Sequence, residues 1–132
     1  MKKIIVLAAA ALALCTTGAM AAGDPAAGEK VFKKCAGCHA VGEGAANKVG
    51  PALNGIFGEK AGAVEGYSFS QAMIDAGNGG LVWTPETVSE FLKKPRDFVK
   101  GTKMSFPGLP KDDDIANVVA YLQTFSPDFK AE

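Results

Sequence analysis

Five consecutive residues, Cys35-Ala36-Gly37-Cys38-His39, constrain this chain more than any other part of its sequence. Two thiols separated by two residues can each add to one of the two vinyl groups on neighbouring edges of a porphyrin. The residue that follows then places an imidazole under the central iron. Because this C-x-x-C-H spacing is the attachment pattern of c-type haem, the sequence predicts one covalently bound haem that forms part of the core.

Three other interpretations of the motif stay open at this point. A structural zinc ion needs four ligands, whereas the chain after residue 21 offers two cysteines and one histidine. A thioredoxin-like dithiol follows a strand within a βαβ pattern, but here the pair follows a predicted helix. A plain disulfide with a passive histidine is the third. Since His39 is the only histidine and stands in the motif, haem attachment is favoured.

The methionines decide whether the iron has a sixth ligand or an open site. Only Met73 and Met104 follow residue 21. Met73 lies in a predicted helical segment, where a methionine is typically a core residue. Met104 lies in loop 101–108, whose glycines allow the backbone to fold tightly against a flat surface. Met104 is therefore the candidate sixth ligand.

Residues 1–21 have the pattern of a secretory signal peptide. Two lysines precede an apolar run over residues 4–14, and the alanines at 19 and 21 form a small-residue exit for cleavage. The apolar run is too short to span a bilayer. We therefore predict a signal peptide over 1–21, export to the periplasm, and a single domain over 22–132.

An alternative to free export is a lipid anchor at Cys15, as in bacterial lipoproteins. Leu14 stands directly before this cysteine, and a lipoprotein peptidase prefers a small residue there, which favours export without an anchor.

The charge balance bears on the kind of partner. The whole chain has 14 basic and 14 acidic residues, and removal of residues 1–21 removes two lysines and no acidic residue. A nucleic-acid footprint is a basic patch on a basic domain, so we expect no nucleic-acid partner.

Capping signals predict where the first two helices begin. Asp24-Pro25 supplies an N-cap and a proline at the first helical position, and the helix is expected to run to Cys35. A second, short helix is expected after Ser68 or Ser70, with Gly77 as its end.

Two further helices are predicted after a long ordered loop over residues 42–66. Thr84-Pro85 opens one, which Pro95 stops, and the acidic run 112–114 opens the last, which Pro127 ends. No stretch alternates apolar and polar residues for long enough to indicate a sheet. The fold class predicted from these patterns is all-α.

From Gly28 to Tyr121 the sequence resembles class I cytochrome c, specifically the soluble bacterial relatives of the mitochondrial protein. The matching segments are Cys35 to His39, Gly50-Pro51-Ala52-Leu53-Asn54-Gly55 with Phe57-Gly58, Trp83, Phe91-Leu92 with Pro95, Gly101-Thr102-Lys103-Met104 and Ala120-Tyr121-Leu122. The resemblance implies a small fold of helices and long loops wrapped around one haem. It also implies that Gly28 and Phe32 pack against Val118 and Tyr121.

The same resemblance implies a role for each site residue. Cys35 and Cys38 would form the thioether links, and His39 and Met104 would be the axial ligands of the iron. The carbonyl of Pro51 would accept a hydrogen bond from the non-ligating ring nitrogen of His39, which fixes the tautomer.

The haem propionates are the part of the site where this chain departs from the family pattern. The resemblance implies that Trp83 donates its indole N–H to one propionate and that Thr102 lies near the other. Glu59 stands where the mitochondrial pattern has an arginine, and Phe69 replaces a tyrosine. Both changes remove a donor, and Tyr67 is the candidate to compensate.

By resemblance, the function is one-electron transfer rather than catalysis. The expected partners are a membrane cytochrome bc complex as donor and an oxidase, reaction centre or reductase as acceptor, with the carrier as a monomer. A basic ring at the haem edge would dock them, formed by Lys30, Lys34, Lys48, Arg96, Lys103 and Lys111. The alternative, a weak peroxidase or a small-ligand sensor, requires that Met104 leaves the iron open.

Overall fold

The computed structural model describes residues 23–131, so the predicted signal peptide and Cys15 lie outside the described residues. Five helices are present in this range: α1 (Pro25–Phe32), α2 (Gln71–Asn78), α3 (Pro85–Lys93), α4 (Pro95–Phe98) and α5 (Asp112–Gln123). The β pairing recorded in the same range is one isolated bridge between Lys60 and Val82. The all-α prediction is therefore confirmed. None of these helices is long and apolar enough to cross a membrane.

The predicted helix starts are confirmed at three N-caps. The Asp24 side chain accepts a hydrogen bond from the backbone N–H of Ala26 at the start of α1. Ser70, rather than Ser68, caps α2 by accepting from the N–H of Met73. Thr84 forms a reciprocal capping box at the start of α3. These caps lie within three residues of the groups they satisfy, which is why the local sequence predicts them.

The predicted ends of α2 and α5 are wrong. α2 continues through Gly77 to Asn78. A Cβ on Gly77 would lie 1.9 Å from the carbonyl oxygen of Ala61, so this glycine permits a close approach of the 42–66 loop instead of ending the helix. α5 ends at Gln123, ahead of Pro127, and the Thr124 hydroxyl donates to the carbonyl of Tyr121 at 2.6 Å.

The connections around α1 and α3 also differ from the prediction. α1 ends at Phe32, and a series of turns carries the chain on to the motif, with the N–H of Cys35 2.7 Å from the carbonyl of Phe32. Pro95 ends α3 as predicted, but it also starts α4, which the sequence did not predict. A proline at the first helical position needs no hydrogen-bond partner for its missing N–H, so it can do both.

The contact between α1 and α5 forms the frame of the domain. A Cβ on Gly28 would lie 1.9 Å from the carbonyl oxygen of Asn117, and Val118 is 1% exposed. The rings of Phe32 and Tyr121 lie 5.5 Å apart between their centroids. The predicted packing of the first helix on the last is confirmed, and it fixes the point from which the C-x-x-C-H segment leaves α1.

The loop over residues 42–66 is ordered by hydrogen bonds from asparagine side chains, as expected of a loop that wraps something. The Asn54 amide donates to the carbonyl of Gly42 at 2.7 Å and accepts from its N–H at 2.8 Å. Asn47 bonds both Ala52 and Glu65. This loop forms one wall of the interior cavity described next.

Candidate functional site

An interior cavity of about 410 Å³ lies between the 42–66 loop, α2, α3 and the loop that follows α4. Every site residue predicted from the sequence lines it: Cys35, Cys38, His39, Pro51, Trp83, Thr102 and Met104. Most of the other lining side chains are aliphatic or aromatic. No acidic residue of the described chain is among the lining residues. A largely apolar cavity with a few convergent polar groups is typical of a site for a bound small molecule.

His39 is held in one tautomer by the loop that faces it. Its Nδ1 lies 2.7 Å from the carbonyl oxygen of Pro51. Since a carbonyl only accepts, Nδ1 carries the proton and the lone pair of Nε2 is left free as a ligand. Burial lowers the pKa of His39, against the smaller opposing effect of the Pro51 hydrogen bond. The lowered pKa favours the neutral imidazole, which is the form that binds a metal.

The residue before Pro51 is glycine because the loop runs directly over the imidazole ring. A Cβ on Gly50 would lie 2.5 Å from Cε1 of His39 and within 3 Å of both ring nitrogens. The N–H of Gly50 also donates to the carbonyl of Cys38 at 2.8 Å. The loop and the motif are thus fixed to each other by three hydrogen bonds, the third from the Lys48 ammonium to the carbonyl of Ala36, and by a ring contact.

The two cysteines lie where the turns after α1 reach the cavity. Cys35 is half-buried, Cys38 is exposed, and both thiols are free. Burial raises the pKa of Cys35. Within residues 23–131 no group of three or more His, Cys, Asp or Glu side chains could hold a metal ion, which argues against the zinc interpretation. The helix that precedes the pair belongs to an all-α chain, so the thioredoxin-like interpretation has no structural support either.

Met104 lies half-buried on the cavity wall in a segment without regular secondary structure. Cationic side chains hold this segment from two directions. The Arg96 guanidinium, from α4, donates to the carbonyl of Ser105 at 2.9 Å. Lys103 reaches across to the carbonyl of Ser68, and its ammonium lies 5.5 Å from the centroid of the Tyr67 ring. The position of Met104 is therefore fixed although its segment is a loop.

A second methionine, Met73 of α2, also lines the cavity. It is 8% exposed and belongs to the hydrophobic core, in agreement with its interpretation as a core residue. The sequence carried no signal that this core position faces the same cavity as Met104. Two thioethers are thus within one cavity, and only one of them lies in a loop held by cationic side chains.

Trp83, Tyr67 and Glu59 belong to the part of the site where the sequence departs from the family pattern of propionate donors. Trp83 is 7% exposed and packs on Phe91 at 5.1 Å between ring centroids. The Tyr67 hydroxyl donates to the carbonyl of Val49 at 2.7 Å, and its role as a compensating propionate donor stays a prediction. Glu59 is exposed and is not a lining residue.

Two of the six predicted basic residues line the cavity, and two more donate hydrogen bonds to segments that form its wall. Lys34 and Lys103 line it, Lys48 donates to the carbonyl of Ala36 within the motif at 2.8 Å, and Arg96 holds Ser105. Lys30 and Lys111 are exposed, but no contact of theirs with the cavity wall is recorded.

Comparison with known proteins identifies the family. The family model described as cytochrome c matches residues 25–126. The chain belongs to the cytochrome c family. Cytochrome c2 of Afifella marina is 53% identical over 103 residues, which are 78% of this chain and 83% of that protein. Cytochrome c-554 of Methylosinus trichosporium is 50% identical over 133 residues, 98% of either chain.

The solved structures agree with the family. Cytochrome c2 from Rhodospirillum centenum has a TM-score of 0.77 and 44% sequence identity, and the match covers 80% of this chain and all of that one. The small cytochrome c fold is therefore confirmed for this chain. Members of the family are electron carriers with one covalently attached haem c and its iron.

The residues present fit haem c. The donor set at the cavity consists of two thiols, one neutral imidazole and thioether sulfur, which are the groups that attach and ligate a c-type haem. The absence of a Cβ at Gly50 lets the loop hold the imidazole from behind. Apolar lining side chains suit the flat, apolar face of a porphyrin. In this cytochrome c family member, the cavity is the place where the cofactor of the family fits.

Proposed function

We propose that this chain is a one-electron carrier of the periplasm in which Cys35 and Cys38 form thioether bonds to haem c. His39 and Met104 would ligate its iron. The observation that carries the proposal is that Met104, far from the motif in sequence, lines the same cavity as Cys35, Cys38 and His39, and that His39 is fixed there by Pro51.

The residues of the chain have three tasks in this function. When bound, haem c supplies an Fe(III)/Fe(II) couple that exchanges one electron. Pro51 keeps Nε2 of His39 free and directed into the cavity, and Arg96 holds the Met104 loop at Ser105. Apolar side chains such as Phe91 and Leu92 keep water out. A thioether ligand and a dry site both favour the ferrous state, so a comparatively high potential is expected.

The same geometry supports a carrier rather than an enzyme. With His39 engaged, the sequence contains no second histidine. No acidic residue of the described chain lines the cavity. A peroxidase would need a positioned acid or base beside an open iron site, and no second histidine or carboxylate of the described residues lines the cavity. The alternative of an enzyme or a small-ligand sensor therefore depends on Met104 staying unbound.

An absorption spectrum of the exported protein from a haem-maturing bacterial host tests this proposal. The protein is washed with acid and organic solvent, then measured in the ferric and ferrous states. We expect retained haem, a low-spin ferrous spectrum and a weak far-red sulfur-to-iron band in the ferric state. Retained haem with a high-spin spectrum would favour the enzyme or sensor, and a colourless protein would contradict haem attachment.

Export, partners and docking belong to the same proposal. The signal pattern at 1–21 supports a periplasmic monomer that carries electrons from a membrane cytochrome bc complex to an oxidase, reaction centre or reductase. Positive charge at the cavity edge supports docking there, and it is carried by Lys34, Lys48, Arg96 and Lys103. The remaining two members of the proposed ring, Lys30 and Lys111, are exposed and do not line the cavity. Such a surface speeds encounter with acidic partners without tight binding.

The dependence of the electron-transfer rate constant on salt concentration tests this docking surface. Replacing both Lys34 and Lys48 with glutamine should lower the second-order rate constant for reduction by a purified bc complex by roughly two- to fivefold at low ionic strength. The dependence on salt should become shallower, because two positive charges are gone. Lys130→Gln, far along the chain from the cavity and also exposed, is the matched control. Equal salt dependence in all three proteins would exclude electrostatic docking through this surface.

A further inference from the structure

The chain continues along the domain after α5 ends at Gln123. Residues 125–129, here called the C-terminal segment, lie against the 42–66 loop. Among residues 23–131, Ser126 is the one buried polar side chain, with 3% exposure. The last residues of a domain are poorly ordered unless specific contacts hold them. The contacts of this segment therefore indicate what it does for the loop.

Two backbone N–H groups of the turn over residues 53–57 donate to the C-terminal segment. The N–H of Gly55 donates to the carbonyl of Phe125 at 2.8 Å. The N–H of Phe57 donates to the Ser126 hydroxyl at 3.3 Å, and this bond is buried. A buried backbone N–H without a partner is costly. The turn therefore depends on the C-terminal segment for a partner that its own residues do not supply.

Phe129 covers the same turn with its ring. The ring centroids of Phe129 and Phe57 lie 5.7 Å apart, and Phe57 is 5% exposed. A Cβ on Gly58 would lie 3.5 Å from Cδ2 of Phe129, so the ring also lies close to the backbone that follows the turn. An aromatic pair at this separation is attractive beyond the area that it buries. The C-terminal segment thus holds the turn by hydrogen bonds and by a ring contact.

The same turn is joined to the backbone and the side chain around His39. The N–H of Leu53 donates to the carbonyl of Ala40 at 3.0 Å, and Pro51 accepts from Nδ1 of His39 at 2.7 Å. Leu53 and Ile56 line the cavity that fits haem. The turn therefore has the cavity on one side and the C-terminal segment on the other. Movement of the turn away from the cavity would strain both bonds beside His39.

We propose that Ser126 and Phe129 are positioning residues that keep the 53–57 turn closed over the cavity and, through it, keep the imidazole of His39 bonded to Pro51. The proposal rests on the proposed function, because it gives the C-terminal segment a task toward a haem ligand. Neither positioning residue lines the cavity. The turn and the bond at His39 open together as one local unit, at a lower free energy than the whole domain.

Hydrogen exchange measured by NMR on the ferrous, haem-containing protein tests this proposal. The variants are Phe129→Ala and Ser126→Ala, with Phe129→Leu as the conservative replacement. Lys130→Ala, at the exposed neighbouring position, is the matched control. Each protein is measured in buffer and in low concentrations of guanidinium chloride. The dependence on denaturant separates a local opening from global unfolding, because it scales with the surface that is exposed.

In the wild-type protein, the sites of the local unit should exchange with a weak dependence on denaturant, and Val118 of α5 with a steep one. In Phe129→Ala and in Ser126→Ala, we expect these sites to exchange about tenfold faster in buffer. Phe129→Leu should be about threefold faster, since it keeps part of the apolar contact. Lys130→Ala should match the wild type, and Thr102 on the opposite wall should not change in any variant. The sites of the local unit are the N–H groups of Leu53, Gly55 and Phe57 and the Nδ1–H of His39.

Three results would overturn the proposal. Unchanged exchange at Gly55 and Phe57 in Phe129→Ala would mean that the C-terminal segment does not hold the turn. Faster exchange at these two sites with an unchanged Nδ1–H of His39 would confine the effect to the turn. A dependence on denaturant at His39 as steep as that of Val118 would leave only a general contribution to stability. A wild-type protein without low-spin haem in its absorption spectrum would instead contradict the proposed function, and this proposal with it.

Discussion

Replacement of Met104 with alanine is expected to abolish the far-red sulfur-to-iron band of the ferric protein. The ferrous protein should then bind carbon monoxide readily, because the sixth position is open. The reduction potential should fall by at least about 59 mV, which corresponds to a tenfold change in the equilibrium constant of the one-electron couple. The reason is that a thioether that favours the ferrous state is lost and water gains access. Absorption spectra, carbon monoxide titration and a redox titration measure the three effects.

Met73 provides the matched control for this experiment. It is the second methionine of the cavity wall and it is more buried than Met104. Met73→Leu keeps its volume and apolar character, so the band should persist and carbon monoxide should not bind. Loss of the band in Met73→Leu together with its retention in Met104→Ala would reverse the assignment. Ready binding of carbon monoxide by the wild-type protein would contradict a closed site.

The second large effect is expected at the contact of α1 with α5. Gly28→Ala should lower the free energy of unfolding of the haem-containing protein by about 3 kcal/mol. The added Cβ would lie 1.9 Å from the carbonyl oxygen of Asn117 and 2.7 Å from Cβ of Tyr121. Because both are held on α5, the helices must separate, and the contact of Phe32 with Tyr121 is lost with them. Denaturant unfolding, followed by absorbance, measures the change.

Ala26→Gly on the exposed side of α1 is the control for backbone effects. This change alters helix propensity without touching α5, so its cost should be only about 1 kcal/mol. A Gly28→Ala protein as stable as the wild type would show that α1 can shift without loss, and the close approach would then have no role in stability.

The cofactor class and the starts of the helices could be predicted because the determining groups are close in sequence. The two thiols and the imidazole of the Cys35 to His39 segment come within five residues of one another. Asp24, Ser70 and Thr84 cap backbone groups two or three residues ahead. Short-range chemistry of this kind does not depend on how the rest of the chain folds.

Features that depend on distant contacts were predicted less well. Gly77 was expected to end α2, but its place is set by the carbonyl of Ala61. The short helix α4 carries Arg96 to Ser105, and no local pattern indicates that bond. The Tyr67 hydroxyl donates to the carbonyl of Val49, and no local pattern indicates that bond either. In each case the partner is a backbone carbonyl, which every residue has, so the sequence cannot tell one from another.

The sequence by itself determined that this chain carries the attachment motif of c-type haem, one candidate imidazole ligand, and helices with defined beginnings. Only the tertiary structure decided that Met73 faces the same cavity as Met104 and that Arg96 and Lys103 hold the segment that carries Met104. The physical reason is that motifs and caps are local interactions. A cavity, by contrast, is formed by side chains from distant segments, whose positions follow from how the whole chain packs.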